Sequence, residues 1–242
     1  MLTLWIALIA FLLYYLGQMA WGIRAFPRIV EAIRQGRLRR TRFYGALMIG
    51  QWLPAAGILL LIAFGRFSLG DVGLAWFRPA QTGWLVIVAS ALAGLYFCYL
   101  ALSLWSLRRN AKSGGGTSQK MPERLLPMFP VTAQEKRSWA CTALTVGFAE
   151  ELLFRGFLLY ALGALFPALP VTAVLLISTA LFGLGHLYQG IGEAVKPLLL
   201  GFLFGVFAIA FGTILPCILL HAMQDLCAVY LAGKDGTMEQ KN

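Results

Sequence analysis

Residues 2–22 have the sequence LTLWIALIAFLLYYLGQMAWG. It contains no charged side chain, and about 20 mainly apolar residues are enough for a helix to cross a bilayer. The stretch lacks the basic start and small-residue cleavage site of a signal peptide, and arginines follow it. We therefore interpret it as a retained transmembrane anchor.

Similar apolar stretches recur along the 242 residues, of which 60% are hydrophobic and 12% are charged. Soluble domains are about one quarter charged, because polar side chains must cover their surface. A mean hydropathy of +0.76 therefore points to lipid as the solvent. We predict an all-α fold, a polytopic transmembrane helical bundle of about seven spans (six to eight). The further predicted spans are residues 43–65, 82–107, 139–166, 169–188, 197–211 and 213–232.

The net charge of +10 is concentrated in two predicted loops, 23–42 and 108–138, which carry seven basic residues each. The intervening loop 66–81 carries two. Basic loops of membrane proteins face the cytoplasm, so we expect the N-terminus outside and the C-terminus inside. No nucleic-acid motif accompanies the clusters, which favours contact with anionic lipid and excludes nucleic acid as a partner. The short chain and compact loops are typical of a bacterial protein of the inner (plasma) membrane.

A glycine-rich linker divides the chain into two unequal parts. Residues 1–112 form an N-terminal three-span part without an ionisable residue inside a span. Residues 113–138 form a cytoplasmic loop that begins with the sequence SGGGTSQ, which is typical of a flexible linker. Residues 139–233 form a core of about four spans. We expect both parts to pack as one helical domain.

Six ionisable residues of the core lie at membrane depth. Each such residue costs on the order of 3 kcal/mol at the bilayer centre, so we expect the six to share one polar cavity. Three belong to the sequence EELLFR, residues 150–155. Glu151 and Arg155 have the i, i+4 spacing of a helical ion pair. Glu150 is rotated by about 100° from Glu151, which leaves it as the free carboxylate.

The other three ionisable residues are Asp225 and the two histidines of the chain, His186 and His221. His221 and Asp225 also have i, i+4 spacing, so the aspartate can orient the imidazole. His186 ends the sequence FGLGH, residues 182–186, in which two glycines allow another helix or a substrate to approach closely. The spacing thus predicts a site built from three helices.

The three patterns E-E-x-x-x-R, F-x-x-x-H and H-x-x-x-D occur in this order over residues 139–232. Together they resemble the CAAX-protease and bacteriocin-processing family (CPBP, or Abi) of intramembrane endopeptidases. The resemblance implies hydrolysis of peptide bonds in membrane-tethered peptides or proteins, prenylated or not. The first three spans carry no motif of this family.

The resemblance also implies roles for the motif residues. Glu150 would activate a water molecule with the help of His186, while His221 and residue 225 would stabilise the oxyanion. Prenyl-protein proteases have asparagine at this last position. Asp225 therefore either is protonated or acts only through His221, because an ionised carboxylate donates no hydrogen bond. The resemblance gives supporting positions to Glu151, Arg155 and Phe182.

A metal ion is a second possibility for the same site. Glu150, His186 and His221 form a His₂Glu set, which is one recognised combination for catalytic zinc. The chain has no H-E-x-x-H sequence, and the family has been described both as metalloproteases and as glutamate-dependent. We favour hydrolysis without a cofactor, with one Zn²⁺ as the alternative.

Two other functions are compatible with buried charges. A non-catalytic Abi-type scaffold or immunity protein would keep the fold and act by binding a partner. A proton-coupled transporter would use the same residue types as a proton relay, but the chain shows no second half of an inverted repeat. The expected partners of an endopeptidase are a membrane-tethered peptide or protein substrate and the lipid bilayer.

Overall fold

The computed structural model describes residues 1–76, 83–113 and 123–227, without the side chains of 111–113. Within these ranges the chain is helical and forms no strand. A π-helical segment, Glu151–Leu158, joins the fourth α-helix to the fifth in one continuous rod, so the described residues form seven helical rods. The helices are α1 Leu2–Arg34, α2 Arg40–Ala63, α3 Trp84–Ser113, α4 Ala133–Glu150, α5 Leu159–Leu165, α6 Val171–Gly185, α7 Ile191–Phe211 and α8 Leu215–Cys227.

Five helices of the described part are long and apolar enough to cross a membrane, which confirms the polytopic helical bundle. Their outer faces carry exposed aliphatic side chains, as expected for contact with acyl chains. The rod from α4 to α5 covers the predicted span 139–166 and is the most enclosed element, since all eight residues of its π segment are buried. The five apolar helices are Leu2–Arg34, Arg40–Ala63, Trp84–Asn110, Val171–Gln189 and Ile191–Phe211.

Several predicted boundaries are wrong. α1 continues past residue 22 to Arg34, because Phe26, Val30 and Ile33 extend its apolar face and pack against Met128. Residues 23–34 of the predicted loop 23–42 are therefore helical, and α2 begins within that loop at Arg40. α7 begins at residue 191, six residues before its predicted start at 197. The glycine-rich linker and the end of the predicted span 213–232 lie largely outside the described residues.

The two basic segments meet at one end of the bundle. Arg40 Nε donates a hydrogen bond of 2.7 Å to the carbonyl of Pro127, and Arg40 Nη1 lies 3.4 Å from Glu135 Oε1. Glu135 also closes the capping box of α4 with Thr132. The loop before α2 and the segment before α4 thus lie on the same side, as the charge distribution predicts.

One close approach between helices positions the polar residues. A Cβ atom at Gly147 of α4 would lie 2.9 Å from the backbone nitrogen of Ala222 in α8. The absence of a side chain at Gly147 therefore lets α8 lie directly against α4. Since His221 precedes Ala222, this contact brings an imidazole next to the glutamates at the end of α4.

Candidate active site

The polar centre begins where α4 changes to π-helix. Glu150 is the last residue of α4, and Glu151 is the first of the π segment, which also contains Arg155. Short π-helical stretches within α-helices are rare and occur frequently at functional sites. All three charged side chains are buried, with Glu151 fully enclosed. The change of helix type thus coincides with the E-E-x-x-x-R motif.

Glu151 and Arg155 form the ion pair that their spacing predicts. Arg155 Nη1 donates to Glu151 Oε1 over 3.0 Å. The guanidinium carbon lies 4.0 Å from the centroid of the Phe182 ring, a cation–π contact with α6. Such a contact stabilises a desolvated cation by about 2 kcal/mol. Phe182 therefore supports Arg155, which in turn holds Glu151.

His221 is oriented by a different carboxylate from the one that its spacing predicts. Its Nδ1 lies 2.7 Å from Glu151 Oε1, the oxygen that also binds Arg155. Asp225 Oδ2 is 3.8 Å from His221 Nε2, which is too far for a hydrogen bond. The expected orienting contact thus comes from Glu151, because the close approach of α4 and α8 brings that residue nearer than the carboxylate on the same helix.

Glu150 uses its two oxygens differently. Oε1 accepts a hydrogen bond of 2.8 Å from Nε2 of Gln51, which lies in α2. Oε2 is buried without a hydrogen-bond partner among the described residues, 3.9 Å from His221 Nε2. Sequence reasoning missed Gln51. The signal that could have revealed it is a lone amide in the middle of an apolar span.

His186 lies directly after the last residue of α6. Its Nδ1 is 2.9 Å from the carbonyl oxygen of Phe182. Because that carbonyl can only accept, Nδ1 carries a proton and Nε2 is left for another partner. The glycines before His186 allow the close contacts that the sequence predicts: Gly183 packs on Leu198 of α7, and Gly185 packs on Tyr15 of α1.

A cavity of about 790 Å³ lies between α1, α2 and the core. Most of its walls are apolar, with a few polar side chains that include Gln51, Glu150 and His186. Ligand sites generally have this size and this combination of apolar walls with a few polar groups. Glu150 therefore borders both the buried ion pair and a space large enough for a substrate segment.

The zinc alternative stays a prediction. In the ranges that the structure describes, no three His, Cys, Asp or Glu side chains form a group that could hold a metal ion. Glu150, His186 and His221 remain the predicted ligands, and two of them, Glu150 Oε2 and His221 Nε2, lie 3.9 Å apart.

The fold and site define a polytopic helical membrane protein with a buried glutamate–histidine centre. Residues 134–227 match the family model described as type II CAAX prenyl endopeptidase Rce1-like, and this range contains all three motifs. The match covers less than half of the chain and confirms the sequence resemblance over this segment. No curated protein and no solved structure matches the chain significantly.

Proposed function

We propose that the protein is an intramembrane endopeptidase that hydrolyses peptide bonds of membrane-tethered peptides or proteins. The observation that carries the proposal is the environment of Glu150. One oxygen of this carboxylate is held by Gln51, and the other has no partner in the described part of the chain and lies near His221 Nε2. A carboxylate with one free oxygen beside a cavity and an imidazole is suited to remove a proton from water.

This geometry supports the following reaction. Glu150 Oε2 takes one proton from a water molecule while the water oxygen bonds to the carbonyl carbon of the scissile peptide. His186 Nε2, on the same cavity wall, aligns that water. The protonated Glu150 then gives its proton to the leaving amine as the carbon–nitrogen bond breaks. One water is consumed, and one carboxylic acid and one amine are formed.

His221 supplies the stabilisation of the oxyanion. When the ring carries both protons, Nδ1 donates to Glu151 and Nε2 is free to donate to the carbonyl oxygen as it becomes negative. The contact with Glu151 fixes the direction of Nε2. Asp225 lies 3.8 Å from that nitrogen and acts through His221 in this proposal, rather than as an oxyanion donor.

The proposal places the reaction near the cytoplasmic face of a bacterial inner membrane. His186 is followed by Tyr188, which packs on Phe26 of α1, and Phe26 contacts Met128 in the cluster at the basic end of the bundle. If the basic end faces the cytoplasm, a substrate anchored in the inner leaflet reaches the site without crossing the membrane.

The direct test is cleavage by purified protein in proteoliposomes. Two quenched fluorogenic peptides of the same sequence serve as substrates, one with a C-terminal farnesyl-cysteine motif and one with an N-terminal myristoyl anchor instead. We expect the wild type to cleave at least one of them. Glu150→Ala, His186→Ala and His221→Ala should each abolish cleavage while circular dichroism shows an unchanged helical content.

Other outcomes favour the other functions. Proton-gradient-dependent flux without a cleaved product would favour a transporter. Biological activity that survives Glu150→Ala would favour a scaffold or immunity protein. For metal-free hydrolysis we expect EDTA to leave the rate unchanged. Loss of cleavage in EDTA with recovery in Zn²⁺ would overturn this part of the proposal.

A further inference from the structure

Gln51 is a polar residue in an otherwise apolar part of α2, and it lies outside the segment that matches the family model. A side-chain amide inside a membrane needs a hydrogen-bond partner within the protein. Gln51 is half-buried, and its Nε2 finds that partner in Glu150 Oε1 at 2.8 Å. The N-terminal helices thus contact the proposed water-activating residue directly.

The backbone beside Gln51 is anchored by a second set of contacts. Pro54 lacks the N–H that would bond to the carbonyl of Gly50 one turn earlier in α2. The hydroxyl of Tyr14 in α1 donates to this carbonyl over 2.7 Å. Gln18 Nε2 in turn donates to the Tyr14 hydroxyl over 2.9 Å. α1 therefore fixes α2 at the residue next to Gln51.

These contacts decide which oxygen of Glu150 is free. A carboxylate can rotate about its last side-chain bond, and the two oxygens are then equivalent. Gln51 removes this equivalence because it binds Oε1 and leaves Oε2 beside His221 Nε2. The geometry points to Gln51 as a positioning residue that reserves Oε2 for the attacking water. This inference rests on the proposed function.

The first test compares two glutamine variants on the peptide that the wild type cleaves. Gln51→Leu removes the hydrogen bond to Glu150. Its control, Gln224→Leu, removes another interhelical hydrogen bond, in which the Tyr96 hydroxyl of α3 donates to Gln224 of α8. Displacing a reacting group can lower the rate by about 10²-fold. We expect kcat of Gln51→Leu to fall up to about 100-fold, with KM within about twofold of the wild type.

Gln224→Leu should keep kcat within about twofold of the wild type, because it does not touch Glu150. Equal losses in the two variants would show a merely structural role and overturn the inference. Wild-type kcat in Gln51→Leu would overturn it as well, while leaving the proposed function intact. A wild type that cleaves neither peptide refutes the proposed function itself, and the inference fails with it.

The second test examines the hydrogen bond from the Tyr14 hydroxyl to the Gly50 carbonyl. Tyr14→Phe removes only the hydroxyl that binds the Gly50 carbonyl, so we expect a loss in kcat that is smaller than that of Gln51→Leu. The double variant should be no slower than Gln51→Leu alone, because Tyr14 acts through Gln51. Fully additive losses of kcat in the double variant would overturn the coupling between Tyr14 and Gln51.

Discussion

The N-terminal helices α1 to α3 and the segment 134–227 differ in where their charged side chains lie. The segment carries every motif and buries Glu150, Glu151 and Arg155 against one another. The N-terminal helices carry their charges near their ends, yet they form much of the cavity wall and supply Gln51. The motifs therefore mark the buried charged residues. The residues that position them and give access to them can come from helices without a motif.

The strongest test of this division is the exchange of Glu150 for its isosteric amide. Glu150→Gln keeps the shape of the side chain but cannot accept a proton from water. General acid–base catalysis contributes about 10²- to 10⁴-fold to a reaction rate. We therefore expect the rate of product formation, measured by mass spectrometry of cleaved peptide, to fall at least about 10²-fold. The loss should exceed that of Gln51→Leu. The reverse order would contradict the division of roles between the two regions.

The ion pairs of the two regions should differ in their contribution to stability. Glu151→Gln leaves the buried Arg155 without its charged partner, and the loss of one partner from a buried pair costs roughly 3–5 kcal/mol. The same change in the exposed pair of α1, Glu31→Gln, should cost less than about 0.5 kcal/mol. Unfolding of both variants in mixed micelles with increasing SDS measures this difference. Similar losses of unfolding free energy in the two variants would show that another anion pairs with Arg155.

The contact of α4 with α8 can be tested with two glycines of the same rod. Gly147→Ala places a methyl group 2.9 Å from the Ala222 backbone, so we expect a loss of about 1–3 kcal/mol together with reduced cleavage as His221 moves. Gly163→Ala meets no atom within 4 Å and should stabilise α5 by up to about 1 kcal/mol. Thermal unfolding and peptide cleavage are measured on both. Wild-type behaviour of Gly147→Ala would refute the close approach.

The smallest expected effect is a pH dependence at the basic end of the bundle. Burial by itself would raise the pKa of Glu135. The backbone N–H groups of Thr132 and Val131, together with the Arg40 guanidinium, hold it below the ordinary 4.5. The ionised side chain therefore stabilises the fold above the unfolded-state pKa, and this contribution is lost as the pH falls through the lower folded-state value.

Capping interactions of this kind are worth about 1 kcal/mol. Thermal unfolding of the wild type from neutral pH down to about pH 3 should show this loss, and Glu135→Gln should lack that part of the pH dependence. If the thermal unfolding of Glu135→Gln depended on pH as that of the wild type does, protonation of Glu135 would not contribute to the pH dependence of stability.

Much of the fold and part of the site could be predicted from local patterns. Apolar stretches predicted the membrane bundle, because the bilayer restricts spanning segments to about 20 apolar residues. The spacing of Glu151 and Arg155 predicted their ion pair, because one turn of the same helix brings the two side chains together. The end of α1 was missed, because the basic residues after residue 22 indicated a loop. Phe26, Val30 and Ile33 nevertheless share one helical face, which packs in a cluster with Met128.

Composition and spacing along one helix were enough to predict which titratable residues enter the membrane, because neither requires knowledge of the neighbouring helices. How these residues pair depends on the packing of the helices against one another. Glu151 and His221 are separated by 70 residues, and Gln51 and Glu150 by 99. Side chains on different helices meet only where the packing brings the backbones together, as Gly147 does for α4 and α8. For this reason Asp225, four residues from His221, was expected to orient the imidazole, and Glu151 does so instead.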